Sequence, residues 1–324
     1  MQYLFKRALK IFQIKNYGRS SFLIGVFTLP STLVFGMLFL FQASIIGSFL
    51  HKKSYFEDKW NYPFFIFGIF ILINSFLQNF ILPNIFSEIW DPVLSFVGLF
   101  NWIPFIWFFW ALQPYLDSRS NRRLFALALI SGTFPVLITG FGQYFLNWTG
   151  PFEIFNGLII WFQRPIERPG GLTGLFNNQN YLGSWLNLVL PFCIALFLEK
   201  RNKIFNKTIE FIFLISISFA TFLTYSRNAW LGLLTSFPIV MGKKRIILFL
   251  PFLSIIFSVL IILLSPIFSG KIQDYLRIII SEKIFFEFSS AGYENLDFSR
   301  LDIFASALNL IQKSPIFGIG AASF

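Results

Sequence analysis

The sequence YPFFIFGIFILINSFLQNFIL, residues 62–82, contains no charged residue. A helix needs roughly 20 apolar residues to cross a hydrocarbon core of about 30 Å, so this run is long enough to span a bilayer. Similar runs recur along the chain, which is 56% hydrophobic and 13% charged over 324 residues. That composition leaves too little polar surface to cover a soluble globule. The sequence therefore predicts an integral membrane protein.

The predicted fold class is all-α, a polytopic transmembrane helix bundle of about nine spans. Lipid requires every backbone polar group to be paired internally, and long apolar runs favour helices over an alternating β-barrel. Residues 21–50 would form a helix about 45 Å long if it were straight, so a hairpin or a broken helix near Pro30 and Ser31 is the better interpretation. Residues 152–162 are too short to cross and are predicted to form an interfacial helix. The other predicted spans are 62–82, 93–113, 124–146, 181–198, 209–224, 228–241 and 246–268.

The distribution of lysine and arginine predicts the orientation. With the N-terminus in the cytoplasm, the predicted cytoplasmic segments hold 18 of the 26 Lys and Arg, as the positive-inside rule requires. Residues 269–324 then form a large C-terminal outer loop. The net charge of +11 reflects this orientation, and no nucleic-acid partner is predicted. With a single cysteine, Cys193, no disulfide framework and no thiol cluster for a metal are predicted.

A polar stretch interrupts this pattern at RPGGLTGLFNNQNYLG, residues 168–183, which we name the glycine–asparagine segment. Its glycines permit close backbone approaches, and Asn177, Asn178 and Asn180 can cap the helix that follows. A glycine-rich backbone before a helix presents N–H groups to anions, and Arg168 adds a positive charge. The segment is predicted to bind an anion at the outer surface. On composition alone the alternative is an ordinary loop, with Arg168 reaching lipid phosphates.

Two more arginines stand out. Arg227 lies in TYSRNAW, a predicted turn between two short spans, where an arginine usually faces a partner or a wet cavity. Arg300 follows Ser299, which with Asp302 resembles a capping box. Apolar residues at helical spacing after it predict an amphipathic helix along the outer face. Taken alone, Arg300 is more typical of a surface residue than of a ligand-binding one.

The stretches RPGGLTGLFNNQNYLG, TYSRNAWLG and SRLDIFASALNLIQKSPIFGIGAASF, in this order, resemble the O-antigen ligase and Wzy-type polymerase superfamily. The resemblance covers residues 164–324, with Gln179 where the family usually has proline. It divides the chain into N-terminal spans, 1–160, and a ligase-like region, 161–324.

The resemblance implies glycan transfer at the periplasmic face of the inner membrane, as in lipopolysaccharide biosynthesis. The donor would be a lipid-linked oligosaccharide carried on undecaprenyl diphosphate, and the acceptor a glycan or lipid hydroxyl, without metal or cofactor. Arg168 and Arg300 match the pyrophosphate-binding arginines of the family and Arg227 its Ser-Arg turn, while Asn177 and Asn180 fall in its substrate-binding motif. Arginines suit this chemistry because the departing diphosphate gains negative charge.

The chain also departs from the family pattern. Ligases carry a histidine in the outer loop, proposed as general base, whereas His51 is predicted to be cytoplasmic, so no catalytic residue is assigned. The family continues with further spans, so we expect a chain interrupted at its C-terminus. A membrane transporter and a non-functional remnant are the alternatives. Transporter sites lie near the membrane midplane, whereas the polar residues here cluster at the predicted outer surface.

Overall fold

The computed structural model describes residues 2–51, 54–81, 93–166, 170–199, 206–242, 300–315 and 318, with five isolated residues between 247 and 258. The chain is mostly helical, which confirms the predicted class at that level. Five stretches of the described chain are long and apolar enough to cross a membrane: Leu33–Leu50, Asn61–Phe80, Leu94–Ala111, Arg119–Leu146 and Gln179–Leu198. The count of nine spans and the orientation stay predictions.

The elements follow in chain order. They are α1 (Gln2–Thr28), α2 (Leu33–Leu50), α3 (Asn61–Phe80), α4 (Leu94–Leu99), α5 (Ile103–Ala111), α6 (Arg119–Leu146), β1 (Phe152–Ile154), β2 (Ile159–Trp161), α7 (Gln179–Leu198), α8 (Lys207–Leu223), α9 (Arg227–Met241) and α10 (Arg300–Lys313). The chain forms two compact units. The first unit contains residues 1–25, 37–124 and 296–324, and the second contains residues 26–36 and 125–295.

Local breaks fall where the sequence predicts them. Helix α1 ends at Thr28 and α2 begins at Leu33, so the break at Pro30 is confirmed. The predicted turn after α8 is also confirmed, with Thr224 to Ser226 separating it from α9. The run 93–113 is divided into α4 and α5, whose first turn contains Pro104. Most of the predicted span 246–268 lies outside the described residues.

The interfacial helix predicted over 152–162 is wrong, because these residues form an antiparallel β-hairpin. Strands β1 and β2 pair Phe152 with Trp161 and Ile154 with Ile159. The turn between them places Asn156 and Gly157 at φ 53° and 84°. An Asn-Gly pair adopts these left-handed angles readily, and they match the twist of a two-residue hairpin. This local signal decides the structure although the residues around it are mostly apolar.

Helix α3 shows the reversed amphipathicity expected in lipid. Its buried face carries Asn74, Ser75 and Gln78, while Phe76 and Phe80 are exposed. Polar side chains are costly in hydrocarbon and therefore turn toward protein partners. This arrangement fits a helix with one face toward lipid and one toward the bundle.

The core of the second unit forms where α7 packs between α8 and α9. Leu186, Leu190 and Ile217 are almost completely buried there. Gly183 of α7 allows a close approach, because a Cβ at that position would lie 2.7 Å from the Cβ of Ala229 in α9. The starts of α7 and α9 are thereby held together, and both carry predicted site residues.

Candidate functional site

The described part of the glycine–asparagine segment packs against the turn between α8 and α9. The backbone N–H of Leu172 donates to the carbonyl of Leu223 at 2.9 Å. Beside this bond, a Cβ at Gly171 would overlap the carbonyl oxygen of Thr224. Only glycine allows the two backbones to approach this closely. The structure thus brings together two of the three motifs singled out in the sequence.

A buried amide, Gln143 of α6, holds the segment from the other side. Its Oε1 accepts the backbone N–H groups of Thr173 and Gly174, each at 3.0 Å. Its Nε2 donates to the carbonyl of Arg164 at 2.6 Å and to Oγ1 of Thr173 at 2.8 Å. These four bonds use the full capacity of a carboxamide. Sequence analysis missed Gln143, although a glutamine inside an apolar span was a usable signal.

The backbone N–H groups of residues 171–174 all donate hydrogen bonds to acceptors within the protein. Gly171 donates to Oε1 of Gln179 and Leu172 donates to Leu223, while Gln143 accepts from the next two residues. The prediction that this backbone presents N–H groups to an anion is therefore wrong for residues 171–174. The physical reason is burial, because buried N–H groups must find protein partners.

The two helix starts beside the segment differ. At α7, Asn178 is the N-cap and its side chain accepts the N–H of Asn180 at 2.7 Å, which confirms the predicted cap. The side chains of Asn177 and Asn180 are exposed. At α9, the N-cap is Ser226, whose side chain makes no capping hydrogen bond. The N-cap side chain thus satisfies a first-turn N–H at α7 and does not do so at α9.

Arg227 is the first residue of α9 and is half-buried. The turn before it is rigid. Thr224, Tyr225 and Ser226 are buried, and Tyr225 is held at φ 51° with its side chain hydrogen-bonded to Tyr144. A left-handed backbone costs roughly 1–2 kcal/mol for a residue other than glycine, so the surrounding contacts must impose it. The Arg227 side chain therefore extends from a backbone position that the buried turn defines.

A pocket of about 420 Å³ opens beside the segment. Its walls are the α1–α2 turn, the β-hairpin, and the stretch from Leu175 to Tyr181. The indole N–H of Trp161 donates to the carbonyl of Ser31 at 2.6 Å and fixes the hairpin against the turn. The lining includes aromatic rings together with the amide of Asn177. Both the volume and the mixture of rings with a few polar groups are typical of small-ligand sites.

The C-terminal part of the chain is similar to a known protein family. Residues 211–324 match the O-Antigen ligase family. The resemblance to the O-antigen ligase and Wzy superfamily is thereby confirmed. The matched range contains Arg227 and Arg300, whereas the glycine–asparagine segment lies before it. No curated protein and no solved structure matches the chain.

The remaining predicted site residues of the O-antigen ligase resemblance are placed as follows. Arg168 lies outside the described residues. Arg300 begins α10, as predicted, and belongs to the first unit. Ser299 of the predicted capping box lies outside the described residues. Arg164, which sequence analysis did not select, is an exposed cation in the second unit, and its carbonyl is fixed by Gln143.

The histidine of the chain has a packing role in the first unit. The Nε2 atom of His51 lies 2.6 Å from the carbonyl oxygen of Trp110, and the two rings stack at 4.3 Å. Over the described residues, no group of three or more His, Cys, Asp and Glu side chains could hold a metal ion.

Proposed function

We propose that this protein transfers a glycan from an undecaprenyl-diphosphate-linked donor to an acceptor hydroxyl at the periplasmic face of the inner membrane. The O-Antigen ligase match supports glycan transfer of the ligase or polymerase type. The observation that carries the site is the Leu172–Leu223 hydrogen bond, because it places the glycine–asparagine segment beside the turn that bears Arg227.

In the proposed reaction the acceptor oxygen attacks the anomeric carbon, and the bond from that carbon to the diphosphate oxygen breaks. The electron pair leaves with the diphosphate, whose negative charge grows in the transition state, and the proton of the acceptor hydroxyl is released to solvent. Arg227 and the N-terminal end of α9 supply positive charge at one point of the second unit. We assign the diphosphate to this point, and Arg168 and Arg300 to the same ligand on the strength of the family motif.

The pocket beside the segment is proposed to receive the sugar that the diphosphate carries. Its aromatic walls offer flat apolar faces to the C–H face of a sugar ring, and Asn177 offers both donors and an acceptor to hydroxyls. Asn180, exposed one turn further along, is assigned to the same glycan. This separates the anion site at α9 from the glycan site at the hairpin.

Contacts within the second unit support the outer location. The Trp161–Ser31 bond joins the hairpin to the α1–α2 turn, and the Leu172–Leu223 bond joins the glycine–asparagine segment to the end of α8, just before the α8–α9 turn. The lysine and arginine distribution assigns all four to the side opposite the basic loops. A donor lipid in the outer leaflet would meet all of them at one depth.

The test uses radiolabelled undecaprenyl diphosphate and the full chain in lipid nanodiscs. We expect saturable binding that Arg227→Ala weakens roughly tenfold to a hundredfold, because charge-assisted hydrogen bonds contribute about 1.5–3 kcal/mol. Arg119→Ala is the matched control, since Arg119 is an exposed arginine at the predicted cytoplasmic start of α6. A lack of saturable binding, or equal weakening of binding by both substitutions, would show the proposal to be wrong.

A further inference from the structure

The buried polar face of α3 lies in the first unit, near the end of the helix predicted to be outer. Asn74 is 6% exposed and Gln78 is 4% exposed, one turn apart on the same face. Inside a span such amides are costly unless they contact protein groups. The partner of Gln78 is known, because its Nε2 donates to the carbonyl of Gly318 at 2.8 Å. The sequence separation of these residues shows that a remote segment returns to this face.

Gly318 closes a tight turn after α10. Its N–H donates to the carbonyl of Ser314 at 3.0 Å, and Oγ of Ser314 donates to the Gly318 carbonyl at 2.7 Å. The φ of Gly318 is +66°, which favours glycine. A Cβ there would lie 3.4 Å from Nδ2 of Asn74, so the glycine rests directly on the α3 amides. The Gly318 carbonyl therefore receives one hydrogen bond from its own turn and one from α3.

The side chains of helix α10 are largely exposed. From 302 to 313 every side chain is exposed or half-exposed, and Phe304, Leu308 and Ile311 are 57–68% exposed. A helix that buries so little apolar area gains little stability from packing. The contact of Gly318 with α3 is therefore one of the contacts that fix where α10 lies.

Asn74 provides a second observation which indicates that the buried polar face of α3 contacts another segment of the protein. Its Oδ1 is buried and has no hydrogen-bond partner among the described residues. A buried unpaired amide oxygen costs about 1–3 kcal/mol, so chance placement inside a span is unfavourable. The burial of the Asn74 amide is explained if this residue is there to contact the turn at Gly318.

We propose that Asn74 and Gln78 form a seat on α3 for the turn at Gly318 and so position α10 and Arg300. Both amides are positioning residues in this scheme. The functional part rests on the proposed function, because it assigns Arg300 to the diphosphate. The structural part, that the seat fixes the position of α10, does not depend on the proposed function.

The first experiment tests the seat by cross-linking the full chain. In a Cys193→Ala background, which removes the single native thiol, Asn74→Cys is combined with Gly318→Cys. The matched control pairs Phe76→Cys with Gly318→Cys, because Phe76 lies on the exposed face of the same helix. A short bifunctional thiol reagent should link the first pair and not the second. Equal yields for both pairs, or no link at position 74 although both thiols label singly, would overturn the seat.

The second experiment measures hydrogen exchange in peptides covering residues 300–315. Gln78→Leu, which keeps the volume and removes the donor, should speed exchange there roughly tenfold while peptides of α7 and α9 remain unchanged. Ser75→Ala is the control, since Ser75 donates to the carbonyl of Ser95 on the buried face of α3. Unchanged exchange in Gln78→Leu, or equal acceleration by Ser75→Ala, would overturn the seat.

The third experiment separates positioning from simple destabilisation through a double-mutant cycle on undecaprenyl diphosphate binding. If Gln78 acts through Arg300, the double variant Gln78→Leu with Arg300→Ala binds no more weakly than Arg300→Ala alone. Additive losses would overturn the positioning role. Failure of the wild-type chain to bind would refute the proposed function and the role assigned to Arg300, while the cross-linking and exchange results would still decide the seat itself.

Discussion

The backbone N–H of Leu172 and the carbonyl of Leu223 are joined by a 2.9 Å hydrogen bond, so two motifs separated by the whole of α7 and α8 share one backbone contact. Leu223 is the last residue of α8, and Arg227 begins the next helix. The glycine–asparagine segment therefore packs directly against the chain just before Arg227. The contact depends on the absence of a side chain at Gly171.

Gly171→Ala should disrupt this contact. Its Cβ would overlap the carbonyl of Thr224, and a backbone atom cannot move aside as a flexible side chain can. We expect a loss of about 1–3 kcal/mol in the free energy of unfolding, as for overpacked cores, together with weaker undecaprenyl diphosphate binding. Thermal unfolding in detergent and the nanodisc assay measure the two effects.

The control for Gly171→Ala is Gly140→Ala in α6. The three atoms nearest to a Cβ at Gly140 would all belong to the side chain of Leu172, with Cδ2 at 3.3 Å, and a leucine terminus can adjust. The control should lose less stability than Gly171→Ala. The reverse order would contradict the backbone overlap as the cause.

Gln143→Leu should destabilise the second unit more strongly than a typical surface change. The substitution leaves the N–H groups of Thr173 and Gly174 and the carbonyl of Arg164 without their amide partner. Each buried group left unpaired costs about 1–3 kcal/mol. Gln13→Leu, at an exposed position of α1, is the matched control and should change the unfolding temperature little. Equal unfolding temperatures for the two variants would refute the role of Gln143.

Features set by neighbouring residues could be predicted, whereas features set by remote partners could not. The break at Pro30 and the start of α10 at Arg300 follow from signals within a few residues. The hairpin at Asn156 and Gly157 also had a local signal, but the apolar composition around it favoured an interfacial helix instead. The four bonds of Gln143 and the contact of Gly318 with α3 involve partners far along the chain, which no periodicity reveals.

The neighbouring asparagines Asn177 and Asn178 should have opposite phenotypes. Asn178 caps α7 through the N–H of Asn180, so Asn178→Ala should cost about 1 kcal/mol and Asn178→Ser much less. Asn177 is exposed and lines the pocket, so Asn177→Ala should leave the unfolding temperature unchanged and weaken binding of a glycan-bearing lipid diphosphate. Comparing that ligand with undecaprenyl diphosphate isolates the contribution of the sugar. A stability loss in Asn177→Ala with unchanged glycan binding would contradict these assignments.

In the first unit, Gly47→Ala should be among the most damaging single substitutions in the described helices. A Cβ at Gly47 in α2 would overlap the carbonyl oxygen of Ala111 at the end of α5, and it would also press on the ring of Tyr115 at 3.3 Å. Tyr115 cannot move away easily, because it is 1% exposed and its hydroxyl donates to the carbonyl of Ala43 at 2.9 Å. We expect a loss of roughly 1–3 kcal/mol or more in the free energy of unfolding.

Gly68→Ala in α3 provides the matched comparison for Gly47→Ala. Gly68 is also a buried helical glycine, but its nearest neighbours would be the Cδ1 atoms of Ile106 and Ile103 at 3.5 and 3.7 Å, which are ordinary contact distances. Alanine is favoured over glycine inside a helix by roughly 0.5–1 kcal/mol, so this variant should be neutral or slightly stabilised. Thermal unfolding of both variants in the same detergent measures the difference. If both glycines tolerate alanine equally, α2 and the end of α5 do not pack as closely as the structure places them.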